Sequence, residues 1–147
     1  MNQELIGRKS EKRKIIVERG QLKLFAKAIN ETNPIYLDEQ AAMHAGYPDV
    51  LAAPTFASCL GLLVPSKSLS YASLGIDCQT LLHTEEKIES IKLIHAGDHL
   101  TLTSQVVDVY EKKGGALQCL EMLTSVTRGS ELIQKVTATL VMRQEFD

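Results

Sequence analysis

From Leu81 onward the chain changes its period, and this change constrains the fold more than any other feature. Leu81 to Ile94, His99 to Tyr110, Leu117 to Thr127 and Leu132 to Arg143 are four long strand candidates. They are separated by Ala96-Gly97-Asp98, Lys112-Lys113-Gly114-Gly115 and Arg128-Gly129-Ser130. In the last of them Leu132, Val136, Ala138, Leu140 and Met142 point one way and Lys135, Thr137, Thr139 and Arg143 the other. Successive strands joined by tight glycine turns predict an antiparallel meander. Such a sheet must cover one face, and Thr55 to Val64 supplies a cover. Phe56, Ala57, Cys59, Leu60, Leu62, Leu63 and Val64 leave that segment almost no polar side, which is the pattern of a buried helix, and Pro54 and Pro65 bound it. Ala57 and Gly61, four apart, allow a sheet or a partner's helix to approach closely.

The preceding half is helical, after one strand. Lys12 to Glu18 holds the β-branched run Ile15-Ile16-Val17. Gly20 separates it from a stripe at i, i+3, i+4 and i+7 formed by Leu22, Phe25, Ala26 and Ile29. That helix cannot run far past Asn30, because Pro34 lacks an N–H and pushes Asn33 out of the α region. Asp38 is placed to cap a second short helix, Glu39 to Ala45, with Gly46 just past its end. Tyr47 to Pro54 reads as a loop, and serine-rich Ser66 to Gly75 as a loop or short helical turn. A strand, then helices, then a long meander with one wholly apolar helix predicts a single α+β domain over residues 1–147. Its sheet curls around a buried central helix, the arrangement called a hotdog fold.

Composition narrows the function. A chain of 147 residues can bury roughly 70% of its unfolded surface and needs no staples. A net charge of −2 offers no electrostatic footprint for nucleic acid. The basic run from Arg8 to Arg19 also carries Glu11 and Glu18 and reads as a solvated strand face. Cys59, Cys78 and Cys119 are odd in number and widely spaced, the pattern of reduced, mostly buried thiols in a cytoplasmic protein. Met1 to Ser10 has no apolar segment behind it and Phe56 to Val64 is too short to span a bilayer, so neither signal peptide nor membrane span is expected. His95 and His99 lie across a turn with no third ligand, so neither a metal nor another cofactor is predicted. Patterns for serine hydrolases, phosphate-binding loops and dinucleotide folds are absent.

The remaining motifs carry a resemblance. Phe25-Ala26, Glu31-Thr32-Asn33-Pro34-Ile35-Tyr36-Leu37-Asp38, Ala45-Gly46-Tyr47 and Leu51-Ala52-Ala53-Pro54-Thr55-Phe56 resemble the N-terminal hotdog domain of MaoC-like dehydratases. That group includes the A-type subunit of (R)-3-hydroxyacyl-thioester dehydratases. Leu82-His83-Thr84-Glu85-Glu86 resembles the leucine-histidine-glycine-glutamate-glutamine segment of that domain, departing at Thr84 and Glu86. Ala96-Gly97-Asp98 and Val107 to Gly115 resemble its hairpin.

The resemblance implies an acyl thioester, on coenzyme A or acyl carrier protein, as ligand, and a homodimer or a heterodimer with a MaoC-type hotdog subunit. In active (R)-specific hydratases of the wider family an aspartate two residues before the Asn-Pro and a histidine two residues after the proline activate water. Here those positions hold Glu31 and Tyr36. The glutamate is one methylene longer, and a displacement of about 1 Å can cost about a hundredfold in rate. A phenol with a reference pKa near 10 does not exchange protons at neutral pH as an imidazole does. Tyrosine here resembles the A-type subunits, whose separate partner supplies the aspartate and histidine. The thioester carbonyl is expected to meet an N–H of Ala53 or Thr55, since Pro54 has none to give, with Asn33 orienting the site and Phe56 facing the acyl chain. Each residue also has a plainer reading: Glu31 as a local cap, Tyr36 as a packed phenol, Asn33 as an Asx turn, His83 as a hydrogen-bonded strand residue and Phe56 as core. Alternatives to the paired dehydratase are a self-sufficient homodimeric hydratase using Glu31, with His83 nearby, and a non-catalytic acyl-coenzyme A binding module.

Overall fold

A computed structural model describes residues 3–143. Its sheet has five strands, β1 (Arg13–Ile16), β2 (Leu81–Ser90), β3 (His99–Lys112), β4 (Leu117–Arg128) and β5 (Glu131–Arg143), in the order β1-β3-β4-β5-β2. Every neighbouring pair is antiparallel. The expected meander is real for β3, β4 and β5, whereas β2 pairs with β5 and not with β3. The edge of β3 that a hairpin from β2 would need is occupied by β1, in the register Arg13↔Leu102 to Ile16↔His99. Residues 91–98 therefore carry the chain across the fold. Strand β2 ends at Ser90 rather than Ile94, because Ile91 N and Lys92 N both turn to the Ile133 carbonyl, at 2.9 and 3.0 Å. The Ala96-Gly97-Asp98 turn docks on the end of β1 instead of closing a hairpin: Gly97 N donates to Val17 O at 2.8 Å and Val17 N to Asp98 O at 2.9 Å.

Three bulges, at His83/Glu85, Val106/Asp108 and Val126/Thr127, bend the strands that carry them and curl the sheet. The last also corrects the simple alternation read for β5. Thr127 pairs with Leu132 and Val126 with Gln134, so the extra residue, Ile133, enters the core at 0% exposure in place of Leu132.

The helices lie on the concave side. Helix α1 (Arg19–Ala28) begins before Gly20, which sits in its first turn and separates nothing. Leu22 and Ala26 are buried, Phe25 is half-buried, and the Phe25 ring meets Phe56 edge to face, with centroids 5.5 Å apart. Helix α2 (Glu39–His44) is capped by Asp38, whose Oδ1 accepts from Ala41 N at 2.8 Å. A 3-10 turn, Pro54–Phe56, feeds helix α3 (Ala57–Leu63). Phe56, Ala57 and Leu60 are buried in the core, and burying side chains such as Phe56 and Leu60 contributes about 2–3 kcal/mol each. Leu62, by contrast, is 81% exposed. The all-round apolar helix thus covers the sheet with one face and leaves the other open in the single chain.

A second apolar cluster forms where Leu69, Leu74 and Ile76 close over Val106, Leu120 and Leu140. Their segment is hooked to the strand side by Glu11, which accepts from Ser66 Oγ and Lys67 N at 2.8 Å each and from the Ser68 hydroxyl. Those donors hold the Glu11 carboxyl far below the usual carboxylate range. Of the free cysteines only Cys119 is buried; Cys59 is half-buried and Cys78 exposed. Among the described residues no helix is long and apolar enough to cross a membrane.

Candidate functional site

The Asn-Pro loop owes its shape to how α1 ends. Asn30 adopts a left-handed φ of 56°, Asn30 N donates to Lys27 O at 3.1 Å and Glu31 N to Ala26 O at 2.9 Å. This is a Schellman stop with asparagine at the left-handed position, a conformation its short polar side chain tolerates. Glu31 then folds back: its Oε1 accepts from Thr32 N at 2.8 Å and Asn33 N at 2.9 Å. Asn33 Oδ1 accepts from Ile35 N at 3.2 Å, an Asx turn opening the 3-10 turn Pro34–Tyr36. The loop is tied to the next segment by Leu51 N donating to Ile35 O at 3.1 Å.

That tie connects the Asn-Pro loop to the segment that leads into α3. Leu51 bridges to His95, Ala52 N donates to Ile94 O at 2.8 Å, and two residues later Ala53 and Pro54 open the 3-10 turn ahead of α3. Ala53 is 2% exposed, Thr55 is exposed, and Phe56 is part of the main core cluster, as its plainer reading has it. His83 is exposed near the start of β2, and its Nε2 is 3.1 Å from the Glu85 carbonyl. Two shallow concavities of the single chain, one along α2 at Arg19, Glu39 and Met43 and one at Lys14, Ile16 and His99, include none of the candidate residues.

The electrostatics separate the two central groups. The half-buried Tyr36 phenol is raised above its ordinary value, first by burial and then by the charge of Glu31 and by Tyr47. It stays protonated at neutral pH and can donate a hydrogen bond. The Glu31 carboxylate already accepts two backbone N–H groups. Tyr47 enters the sequence reading only within Ala45-Gly46-Tyr47, and nothing in Tyr47-Pro48 marks it as acting on Tyr36.

A second centre supports the first and was also illegible. Asp98, 4% exposed, accepts from Arg128 Nε at 2.7 Å and Nη2 at 2.6 Å and from His95 N at 3.0 Å, with His95 Nε2 3.3 Å from its Oδ1. Arg128 also donates to Leu93 O at 2.8 Å, and its guanidinium is raised by Asp98. The cluster locks the 93–98 crossover on which Leu51 rests. Asp49 is clamped by Arg19 Nε and Nη2 at 3.0 and 2.7 Å, fixing the other side of the same loop and holding the Asp49 carboxyl low. Along α3, Ser58 Oγ donates to Glu86 Oε2 at 2.6 Å, joining helix to β2, and burial followed by Glu86 pushes the Cys59 thiol up. Among the described residues no group of three His, Cys, Asp or Glu side chains is arranged to hold a metal ion.

A five-stranded antiparallel sheet curled around a central helix defines a hotdog protein. The sequence matches the family described as "FAS1-like, dehydratase domain region" over residues 4–135. A UPF0336 protein of Thermobifida fusca is 30% identical over 85% of this chain and 82% of its own length. In structure the chain is similar to the HadBC (3R-hydroxyacyl-ACP dehydratase) complex of Mycobacterium tuberculosis, at 25% identity and TM-score 0.78 over 93% of this chain and 96% of that one. The ChsH1-ChsH2 complex of the same organism shares the fold at 18% identity and TM-score 0.72, over 92% and 89% of the two chains. The chain belongs to the FAS1-like dehydratase region family, of MaoC-like hotdog type.

Proposed function

We propose that this chain is the acyl-thioester-binding subunit of an (R)-specific enoyl hydratase or 3-hydroxyacyl dehydratase, completed by a MaoC-type hotdog partner that brings the acid and base. One observation carries the reading: the Asn-Pro frame of a hydratase is intact, while its two chemical positions hold a carboxylate turned onto its own loop and a phenol held protonated. Such a site binds and orients. A protonated phenol and the N–H groups near Ala53 and Thr55 can hold the thioester carbonyl and donate to developing enolate charge, and Asn33 fixes the loop that presents them. The open face of α3 and the unpaired edge of β2 are where a partner would close the acyl site. HadBC and ChsH1-ChsH2 are complexes of two chains, which supports a hotdog partner.

The self-sufficient reading keeps one argument, since both loop bonds fall on Glu31 Oε1. The deciding experiment is a hydratase assay on crotonyl-coenzyme A and the matching carrier-protein thioester, with the chain alone and with its co-purified partner. No turnover alone, turnover in the complex, and a kcat within about threefold of wild type in the Glu31→Gln complex are expected. Turnover by the chain alone that vanishes in Glu31→Gln establishes the homodimeric hydratase instead. Acyl-coenzyme A binding without turnover in any pairing establishes a binding module.

A further inference from the structure

The face of the sheet turned away from the helices carries an unopposed positive charge at one end. In β3 the buried Leu100, Leu102, Ser104 and Val106 point inward, so His99, Thr101, Thr103 and Gln105 point outward. Cross-strand partners share a face. This places Lys14 of β1 beside Thr101, Lys9 beside Gln105, Ser125 of β4 beside Thr103, and Lys135 of β5 beside Ser125. Lys12, exposed just ahead of β1, falls on the side of Lys14 by alternation. Four lysines thus stand around a floor of hydroxyls and one amide. Acids that border it are engaged elsewhere: Glu11 by Ser66, Lys67 N and Ser68, and Glu89 by Lys87 at 3.6 Å. Among the described residues none of the four lysines has an ion-pair partner, although the whole chain has a net charge of −2.

The dimensions select the occupant. From β1 to β5 the lysines span three inter-strand steps, roughly 14 Å, and from His99 to Gln105 the face runs roughly 20 Å. Charges spread that widely do not converge on one phosphate, whereas an α-helix about 10–12 Å across fits along the face for about 13 residues. These rows hold neither the arginine forks nor the aromatic platforms that grip nucleic acid. Ile16, 55% exposed at the rim, is the one large exposed apolar side chain among them, too little to enter a lipid surface. Lysine ammoniums, compact and strongly hydrated, suit the loose, salt-sensitive contact of a partner that must leave again. The face also ends near the candidate site. His99 lies at its rim, beside the shallow concavity at Lys14 and Ile16. His95, four residues earlier, bridges to Leu51, which is bonded to Ile35 of the Asn-Pro loop.

We propose that this outer face, through Lys9, Lys12, Lys14 and Lys135, docks an acidic helix of the carrier protein that delivers the acyl thioester. The proposal rests on the acyl-thioester reading of the function and adds the carrier, a protein and not coenzyme A. Calorimetry with the full chain and a bacterial acyl carrier protein in its apo form, which lacks the thioester-bearing arm, tests it. Binding is expected at low salt and should weaken at least about tenfold between roughly 50 and 300 mM salt. Lys12→Glu/Lys14→Glu is expected to weaken it at least about tenfold, and Lys135→Glu, on another strand, about threefold. Lys112→Glu/Lys113→Glu, an equal charge change at the other end of the sheet, should leave it within about twofold. All variants are checked for an unchanged melting temperature, and Lys135→Glu decides alone if the β1 pair melts low. No binding by wild type overturns the proposal, as do equal losses in the β1 and control pairs, no loss in Lys135→Glu, displacement of the carrier protein by excess coenzyme A, or an oligonucleotide duplex bound as tightly through the same lysines. Binding is read without turnover. Hydration of coenzyme A thioesters by a chain that ignores the carrier protein therefore removes this proposal and leaves the functional reading, and carrier binding by a chain that turns over nothing does the reverse.

Discussion

The two edges of this sheet, β1 and β2, are finished in opposite ways. Strand β1 is four residues long, with exposed Lys14 in it and exposed Lys12 just before it, and its neighbourhood is fastened down. Glu11 holds residues 66–68, and Arg13 donates to Val64 O at 2.9 Å and Ser104 Oγ at 2.6 Å. Short, lysine-bearing edges do not template further strands. Strand β2 is ten residues long, exposed on both faces, with Leu82 at 63% and the apolar side of α3 next to it. An edge left that open is where the proposed hotdog partner would add its strand. In the proposed assembly β1 serves stability and β2 pairing.

The strongest challenge to that division is at the β1 end. Asp98 → Ala is expected to lower stability by about 3–5 kcal/mol in chemical denaturation, because it strands Arg128 and frees the turn that holds Val17. Hydrogen exchange at Val17 and Ile15 should rise with it, and if β2 loosens first the assignment of the edges is reversed. Leu62→Asp should do the converse. At 81% exposure the residue contributes little to the single chain, so stability should stay within about 0.5 kcal/mol, while partner binding measured by calorimetry weakens by about 2 kcal/mol, roughly 30-fold. A large loss of stability instead would mean that the open face of α3 already has a cover. The smallest effect is in acid. The Glu11 carboxyl is depressed in the fold, so its stabilisation is present above its unfolded value and is lost as pH falls through and below the ordinary carboxylate range. Proteolysis within residues 66–75 should increase over that window in wild type, and Glu11→Gln should remove the pH dependence.

Most of the fold was legible because its signals are local. Asp38 caps α2 as its position predicts, Pro34 and Asn30 end α1, and the glycine turns give β3, β4 and β5 their meander. What escaped is non-local. A period-2 run announces a strand and not its neighbour, so β2 read as the partner of β3 when β1 held that edge. Ile133 displaces Leu132 because a bulge, invisible in alternation, shifts the register. In the site, the Asx turn of Asn33 is one of the two readings that Asn-Pro allows, whereas the folding of Glu31 onto Thr32 and Asn33 depends on a rotamer. The clamp of Asp98 by Arg128 joins residues 30 apart, each ordinary in its own surroundings.

The pairing of β2 with β5 has a consequence during synthesis. Strand β2 ends at Ser90 and its neighbour is complete only at Arg143, so on the ribosome β2 emerges about three to ten seconds before that neighbour exists, at roughly 5–20 residues per second. For that interval both of its edges are open, and adjacent nascent chains on one message present the same strand to each other. Glu85, Glu86 and Glu89 on that strand then act as gatekeepers against premature sheet formation.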